Sequence, residues 1–242
     1  MNMKNKFIPA LAILLSLGFI ISCDKNEAHL PATEPFSRPM IKLINAIPNV
    51  TSPVDFYMNN RKLTGATVAF GSSFPTNGFY LAETGFVNLR AVANGIDVFN
   101  GNLTTSPFAY YTVFVIDTFP RTELYTILDA GPLYPNTDSG KALIRFVHVA
   151  KGVGALKLVN VTNAAALDTV AKNVTYKTNT GLIQVNSGTN LKYQLYLSGT
   201  STTVGTALTL TLNSSRTYIL YARGRQGATG TGAPGLSSSL IQ

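Results

Sequence analysis

The chain has 242 residues, enough for one large domain or two of ordinary size. Hydrophobic residues make up 45% and charged residues only 12%, a balance that favours strands and turns and excludes a protein built from long surface helices. The formal net charge of +8 is scattered without a basic run, which excludes binding along a nucleic-acid backbone.

The chain opens with a segment that has the features of a secretory signal peptide. Lysines precede a predominantly apolar run from Phe7 to Ile21, and the small residue Ser22 follows it. A positive start, an apolar centre and a small residue at the cut describe an export signal. The run is shorter than the roughly 20 residues that a membrane span requires. We therefore expect residues 1–22 to be removed on export.

Cys23 follows this segment directly and is the only cysteine in the sequence. The stretch Ile20-Ile21-Ser22-Cys23 resembles the bacterial lipobox, in which an aliphatic residue and a small residue precede the modified cysteine. The resemblance implies that Cys23 is acylated with palmitate-type chains and begins the mature protein. Each buried methylene contributes about 0.8 kcal/mol, so three chains give an effectively permanent membrane anchor. The alternative is an ordinary cleaved signal followed by an unmodified cysteine.

Location follows from this anchor. We expect a cell-envelope protein, specifically an outer-membrane lipoprotein of a Gram-negative bacterium, with exposure at the cell surface as one of two alternatives for its orientation. Asp24 favours inner-membrane retention under the enterobacterial sorting rule, whereas an acidic stretch after the cysteine resembles a surface-export signal. The periplasmic face and the cell surface therefore both stay open.

Residues 23–39 are predicted to form a flexible, lipidated tether. They contain three prolines and mixed charge, and their apolar residues follow no regular period. Folded structure is therefore expected to begin near residue 40.

The remainder of the chain contains two copies of one unit. The stretch IKLINAIPN, from Ile41, parallels IRFVHVAKG, from Ile144, and YTVFV parallels YILYA in the same order, about 100 residues further on. The separation indicates tandem domains at residues 40–131 and 142–242, joined by a linker at residues 132–141.

Within each copy the apolar residues recur with a period of two. In VDFYMN, Val54, Phe56 and Met58 alternate with polar or aromatic neighbours, and turn residues separate such runs. This pattern predicts strands with one face on a core and one face in water, and about seven strands per copy in a β-sandwich. Only residues 164–171 favour a short helix. The predicted core aromatics are Phe56, Tyr111, Phe114, Phe146, Tyr193 and Tyr218.

The stretches IRFVHVAKG and IKLINAIPNVTSPVDFYMNNRKL resemble the start of the domain of unknown function 4397 family, and YYTVFVID resembles its closing strand. The first copy, residues 41–129, fits better than the second, which lacks the turn glycine and carries an insertion at residues 161–172. The resemblance implies an all-β protein with two tandem Ig-like antiparallel β-sandwich domains after a signal peptide and tether. It brings no known activity and no catalytic residues.

The sequence carries no recognisable catalytic signature. No Gly-x-Ser-x-Gly nucleophile elbow accompanies His148, so a serine-hydrolase triad is not indicated. The acidic residues are too dispersed to suggest a catalytic carboxylate pair, and no cysteine–histidine cluster suggests a metal site. The Gly230–Gly235 stretch matches a dinucleotide-binding glycine pattern, but it contains Pro234 and is followed by a terminal strand instead of a helix. We therefore expect no enzymatic activity, no cofactor and no metal. Because Asn45 occupies the position of His148 in the first copy, His148 is predicted to be a hydrogen-bonding strand residue.

Two functions fit these observations. The first is a non-catalytic, monomeric envelope lipoprotein that binds, adheres or scaffolds; the alternative is an accessory glycan-binding lipoprotein of a nutrient-uptake system. Exposed aromatic rings stack on sugars, so the candidate ligand-facing residues are Tyr57, Tyr80, Tyr110 and Tyr196. Thr169 lies in Asp168-Thr169-Val170, which resembles a bacterial O-glycosylation signal and is expected in a loop. The expected partners are the membrane, through Cys23, and a glycan or protein ligand.

Overall fold

A computed structural model describes residues 37–129 and 138–242 of the chain. The described residues belong to one compact unit. In the described ranges the chain folds into eighteen strands, β1 to β18, arranged in four sheets. No helix in these ranges is long and apolar enough to cross a membrane. The signal peptide, Cys23, most of the tether and most of the predicted linker lie outside the described residues.

Nine strands make the first half of the described structure. One sheet has the order β4-β1-β8-β9, with β5 also paired to β1, and the other has the order β3-β2-β6-β7. The strands are β1 (Met40–Asn45), β2 (Asp55–Met58), β3 (Arg61–Lys62), β4 (Ser72–Phe74), β5 (Tyr80–Leu81), β6 (Gly85–Ala93), β7 (Ile96–Thr105), β8 (Tyr110–Ile116) and β9 (Glu123–Asp129).

The second half repeats this arrangement. One sheet has the order β13-β10-β17-β18, with β14 also paired to β10, and the other has the order β12-β11-β15-β16. The strands are β10 (Lys141–His148), β11 (Leu156–Asn160), β12 (Asp168–Val174), β13 (Thr178–Asn179), β14 (Ile183–Asn186), β15 (Gly188–Leu197), β16 (Thr203–Leu212), β17 (Thr217–Arg223) and β18 (Gly235–Leu240).

Each half is a β-sandwich with its own core, as the alternating sequence pattern predicts. Along β6, Val87, Leu89 and Ala91 are buried, while Asn88 and Arg90 between them are half-exposed. The first core gathers Phe56, Leu89 and their neighbours from both sheets of the first half, and the second core does the same around Phe146 and Tyr193. The all-β class and the two sandwiches are thereby confirmed. All six predicted core aromatics are buried.

A third core joins the two sandwiches. We call the sheets that contain β1 and β10 the central sheets, and the other two the outer sheets. The faces of the central sheets that point away from their own sandwich pack against each other. This junction core is made of Ile44, Ala46, Phe114, Ile116, Ile127, Val147, Val149, Ile219, Tyr221 and Ile241. The molecule therefore has four stacked layers, in which the two central sheets are covered on both faces.

The sheets are not wholly antiparallel, and in this respect the prediction was wrong. β1 pairs with β8 in parallel, from Met40 opposite Tyr110 to Asn45 opposite Val115, and β10 pairs with β17 in the same way. The connection within each pair passes through the outer sheet and includes two short strands that pair antiparallel with the first strand, and the second strand then starts at the end of the central sheet where the first strand started. A crossover of this kind produces a parallel pair, whereas antiparallel neighbours need only a hairpin.

The short helix favoured at residues 164–171 is also absent from the described structure. Asp168–Val174 is instead strand β12, which pairs with β11 through Val159 opposite Thr169 and Leu156 opposite Val174. Isolated short helices pay a high nucleation cost, whereas β12 satisfies the backbone groups along one edge of β11. Thr169 accordingly lies on a strand at a sheet edge and not in the predicted loop, although its side chain is exposed.

A buried ion pair lies at the junction between the central sheets. Arg145 on β10 donates from Nη1 to Oδ1 of Asp129 on β9, and Thr112 on β8 donates from Oγ1 to the other carboxylate oxygen at 2.5 Å. The side chain of Asp129 is only 1% exposed. Both charges therefore depend on each other, because removing one leaves the other uncompensated in a dry environment.

We predict that Arg145→Met lowers the free energy of unfolding by about 3–5 kcal/mol, because the Asp129 carboxylate is left buried without its cation. The double variant Arg145→Met, Asp129→Asn removes the charge and keeps an acceptor for Thr112, so it should regain most of that loss. Urea unfolding of the two variants and the unchanged protein measures the difference. Equal stability of the single variant and the unchanged protein would contradict a buried ionic tie.

Candidate functional site

A cleft of about 370 Å³ opens where the edges of the two sandwiches meet. One wall is formed by β4 and the segment that follows it, and the other by parts of β16, β17 and β18. No charged side chain lines the cleft within the described ranges. Its polar lining consists mainly of Ser72, Ser73, Thr76, Asn77, Thr211 and Ser238.

Contacts between the sandwiches build the floor of this cleft. The hydroxyls of Ser73 and Ser239 are 2.9 Å apart, and they join β4 of the first sandwich to β18 of the second. Close by, the hydroxyl of Tyr221 donates to the carbonyl oxygen of Gly71 at 2.9 Å. The cleft therefore exists only because the two halves are docked, and neither sandwich contains it alone.

Gly71 permits this close approach. Its backbone has φ of +73°, and a Cβ placed there would lie 2.6 Å from Nε of Arg223. The Arg223 guanidinium sits over the ring of Phe70, 4.7 Å from its centre, and donates to Oγ of Ser237 at 2.9 Å. Only glycine meets both the left-handed backbone and the contact with Arg223 without a shift of its neighbours.

Lys42 fixes the segment that forms the rim of the cleft. Its ammonium group donates to the carbonyl oxygens of Pro75 at 2.8 Å, Thr76 at 3.2 Å and Gly78 at 3.1 Å. Burial lowers the pKa of Lys42 to about 8, and the Asp129 carboxylate acts in the opposite direction. The group is therefore protonated at neutral pH, and all three of its N–H donors are used to hold the rim.

The four predicted tyrosines do not form one surface. Tyr57 lies on the outer sheet of the first sandwich, with the Arg90 guanidinium 5.5 Å from its ring centre. Tyr196 lies on the outer sheet of the second sandwich, with the Lys157 ammonium 5.1 Å from its ring centre. Because the outer sheets are the two end layers of the stack, these rings are on opposite sides of the molecule.

The other two tyrosines sit against neighbouring aromatic rings. The ring of Tyr80 packs against Phe74, with 5.6 Å between centres, and borders the first core. The ring of Tyr110 meets Phe79 edge-on at 5.1 Å. None of the four tyrosines lines the cleft.

The cleft itself was not predicted from the sequence. A signal was present in the serine-rich stretches GSSF, from Gly71, and LSSSL, from Leu236, which place hydroxyls where strands usually carry larger residues. Nothing in the sequence pairs these two distant stretches. In the described ranges no three His, Cys, Asp or Glu side chains lie close enough to hold a metal ion.

His148 has the structural role predicted from its exchange with Asn45. Its Nδ1 accepts the backbone N–H of Ala150 at 3.2 Å, and its Nε2 lies 3.1 Å from the carbonyl oxygen of Gly154. Asn45 makes the equivalent pair of bonds, because Oδ1 accepts from Ile47 at 3.3 Å and Nδ2 donates to Val68 at 3.0 Å. These bonds require a neutral imidazole that carries its proton on Nε2.

We predict that the stability of the protein depends on the charge of His148. Burial lowers the pKa of His148 below its usual value of 6.5, so the unfolded chain takes up a proton before the folded one does. The neutral His148 therefore makes its full contribution to the free energy of unfolding above about pH 6.5, and this contribution falls as the pH drops below that value. In His148→Asn, which carries the residue that the first half has at this position, the free energy of unfolding should fall less steeply between pH 7 and pH 5. Chemical denaturation across that range measures it, and parallel curves for both proteins would count against the assignment.

Comparisons with known proteins assign a family to the chain but no ligand. Curated protein sequences gave no match. Among solved structures, the carbohydrate-binding module CBMbc (family CBM26) from Eubacterium rectale Amy13K, in complex with maltoheptaose, aligns with 81% of this chain and 98% of its own. The identity is 11% and the TM-score 0.27, which is too low to assign either a shared fold or a shared ligand.

The family comparison covers half of the sequence. The matched residues, 39–159, run from the last residue before β1 to the penultimate residue of β11, and so take in all nine strands of the first sandwich, β10 and most of β11. They include the two motif regions quoted above, IKLINAIPN and IRFVHVAKG. On this match the chain belongs to the family described as Domain of unknown function (DUF4397).

Proposed function

We propose that this protein is a non-catalytic binding module of the bacterial cell envelope, held by a lipid on Cys23, and that its ligand binds in the cleft between the two sandwiches. The observation that carries the proposal is the composition of that cleft, to which both halves contribute. A tandem protein whose halves merely followed one another would have no reason to dock through a buried core.

The lining of the cleft indicates the chemistry of the ligand. Hydroxyl groups both donate and accept hydrogen bonds, and the cleft offers several of them beside the amide of Asn77. The volume of about 370 Å³ lies at the small end of the usual range for ligand sites. A neutral ligand rich in hydroxyls meets these conditions, which supports a glycan. An accessory glycan-binding role in nutrient uptake is therefore the second candidate function.

The lipid anchor is the second part of the proposal. The support for it is the lipobox-like sequence that ends at Cys23 and the proline-containing tether that follows. An outer-membrane position with display at the cell surface would bring the cleft to external ligands. Binding without chemistry is consistent with a cleft lined by hydroxyl and amide groups, which lack an activated nucleophile or base.

We predict that Thr211→Trp blocks the cleft, because Thr211 is an exposed wall residue and an indole fills much of the space. Binding to a panel of immobilised oligosaccharides should fall by roughly tenfold or more for this variant. Thr203→Trp is the matched control, since Thr203 is exposed on the same strand outside the cleft. Binding that survives Thr211→Trp would remove the cleft from the proposal, and a panel with no binder would remove the glycan.

We predict that Cys23 carries the fatty acid. The full chain, expressed in a Gram-negative host that is fed an alkyne fatty acid, should become labelled, and Cys23→Ala should abolish the label because the sequence has no other cysteine. Protease treatment of intact cells then separates surface display, where the protein is cleaved, from a periplasmic position, where it is protected. An unlabelled full chain would refute the anchor.

A further inference from the structure

Three large apolar side chains of the first sandwich are left in solvent. Phe86 is 72% exposed, and Phe108 and Leu128 are each 66% exposed. Single exposed apolar residues are common on protein surfaces and need no explanation. These three differ because the strand register places them at the same end of one sandwich.

The three side chains lie at the end of the first sandwich that carries the turn between β7 and β8. Phe86, at the start of β6, pairs with Thr104, near the end of β7. Phe108 belongs to the turn at residues 106–109 that leads from β7 into β8. Leu128, near the end of β9, pairs with Tyr111 at the start of β8. We call this group of Phe86, Phe108 and Leu128 the apolar end.

The backbone of Phe108 gives an independent sign that the apolar end has a role. Its φ is +60°, in the left-handed region that bulky side chains rarely adopt. Most other non-glycine residues with positive φ in the described ranges are asparagines, which tolerate this conformation. An aromatic residue that is 66% exposed and sits in a strained turn contributes little apolar burial to the fold, so a contact outside the fold is the simplest reason for it.

The chain also enters the sandwich at this end. The backbone N–H of Met40, the first residue of β1, donates to the carbonyl oxygen of Ala109, the neighbour of Phe108, at 2.8 Å. The N–H of Ala82, a few residues before Phe86, donates to the carbonyl of Pro39 at 2.8 Å. Counted from Cys23 to Ser37, the tether reaches at most about 50 Å. An anchor at Cys23 therefore limits the distance between the bilayer and this end of the sandwich to about 50 Å.

We propose that the apolar end rests on the lipid bilayer, with Phe86, Phe108 and Leu128 inserted at the boundary between headgroups and acyl chains. The proposal rests on the membrane anchor of the proposed function, which supplies the proximity that three side chains alone would not. Anchor and apolar end then act as two linked membrane contacts, and the second gains from the high local concentration that the first creates. Together they fix how the folded body stands on the membrane.

The sequence lacks tryptophan, so one introduced indole reports its own position without background. The full chain with Phe108→Trp is reconstituted in phosphatidylcholine vesicles whose acyl chains are brominated. We expect its emission to shift to the blue and to be quenched by the brominated lipid. The matched control is Phe119→Trp, an exposed phenylalanine in the loop after β8, at the opposite end of the same sandwich. That indole should remain accessible to aqueous acrylamide and unaffected by the bromines.

The experiment separates this proposal from the anchor itself. If the purified chain carries no lipid, its single thiol is coupled to a maleimide lipid in the same vesicles, and the fluorescence is measured as before. An unmodified Cys23 thus overturns the natural anchor, while the indole at residue 108 still tests the apolar end. Full exposure of that indole to acrylamide, or equal bromine quenching at residues 108 and 119, would overturn the membrane contact.

A further variant excludes a purely structural role for Phe108. Asparagine suits a left-handed turn, so Phe108→Asn should leave the melting temperature unchanged or higher. With Phe86→Trp as the reporter, the same substitution should reduce bromine quenching by roughly half or more, because the neighbouring contact is lost. Unchanged quenching in this background would show that Phe108 does not take part.

Discussion

The face-to-face packing of the two central sheets is the contact on which the rest of the molecule depends. It covers the second face of β1, β8, β10 and β17 with an apolar layer that includes Phe114, Ile219 and Tyr221. Buried apolar area of this kind is the main favourable contribution in folding and in association. Without it these strands would expose a large apolar surface, and the cleft would lose one wall. Lys42 and Asp129, which are buried in the docked molecule, would then be exposed to water.

Polar residues at the junction give this apolar contact its register. The Arg145–Asp129 pair, the hydroxyl of Thr112 and the bond from Tyr221 to Gly71 each need a partner at one position, so a shifted docking would leave buried groups unpaired. Apolar packing alone tolerates small displacements far better. The apolar residues thus hold the two central sheets together. The few polar residues fix the one alignment of the sheets that the cleft requires.

The outer sheets were predictable from sequence, and the junction was not. Strand β6 alternates apolar and polar residues because one of its faces meets water, which is the pattern that sequence reasoning recognises. The stretches IKLINAI and YYTVFVI, in contrast, are nearly continuous apolar runs, which is typical of strands covered on both faces. This difference from β6 was the sequence signal for the junction. The cleft depends on Ser73 and Ser239, which are 166 residues apart, and no local pattern relates positions at that separation. The Asn45 and His148 exchange was predictable because it compares equivalent positions in two copies.

The parallel pairing of β1 with β8 has a mechanical consequence. With the proposed anchor at Cys23, a pull on a bound ligand would be transmitted to the membrane through Met40, the first residue of that strand. The ladder from Met40 to Asn45 runs beside Tyr110 to Val115, with its hydrogen bonds lying across the direction of the strands. Tension along β1 therefore loads all of these bonds together in shear, and they cannot be peeled apart one at a time. With the anchor proposed above, flow or cell movement would therefore be resisted by all of these hydrogen bonds at once.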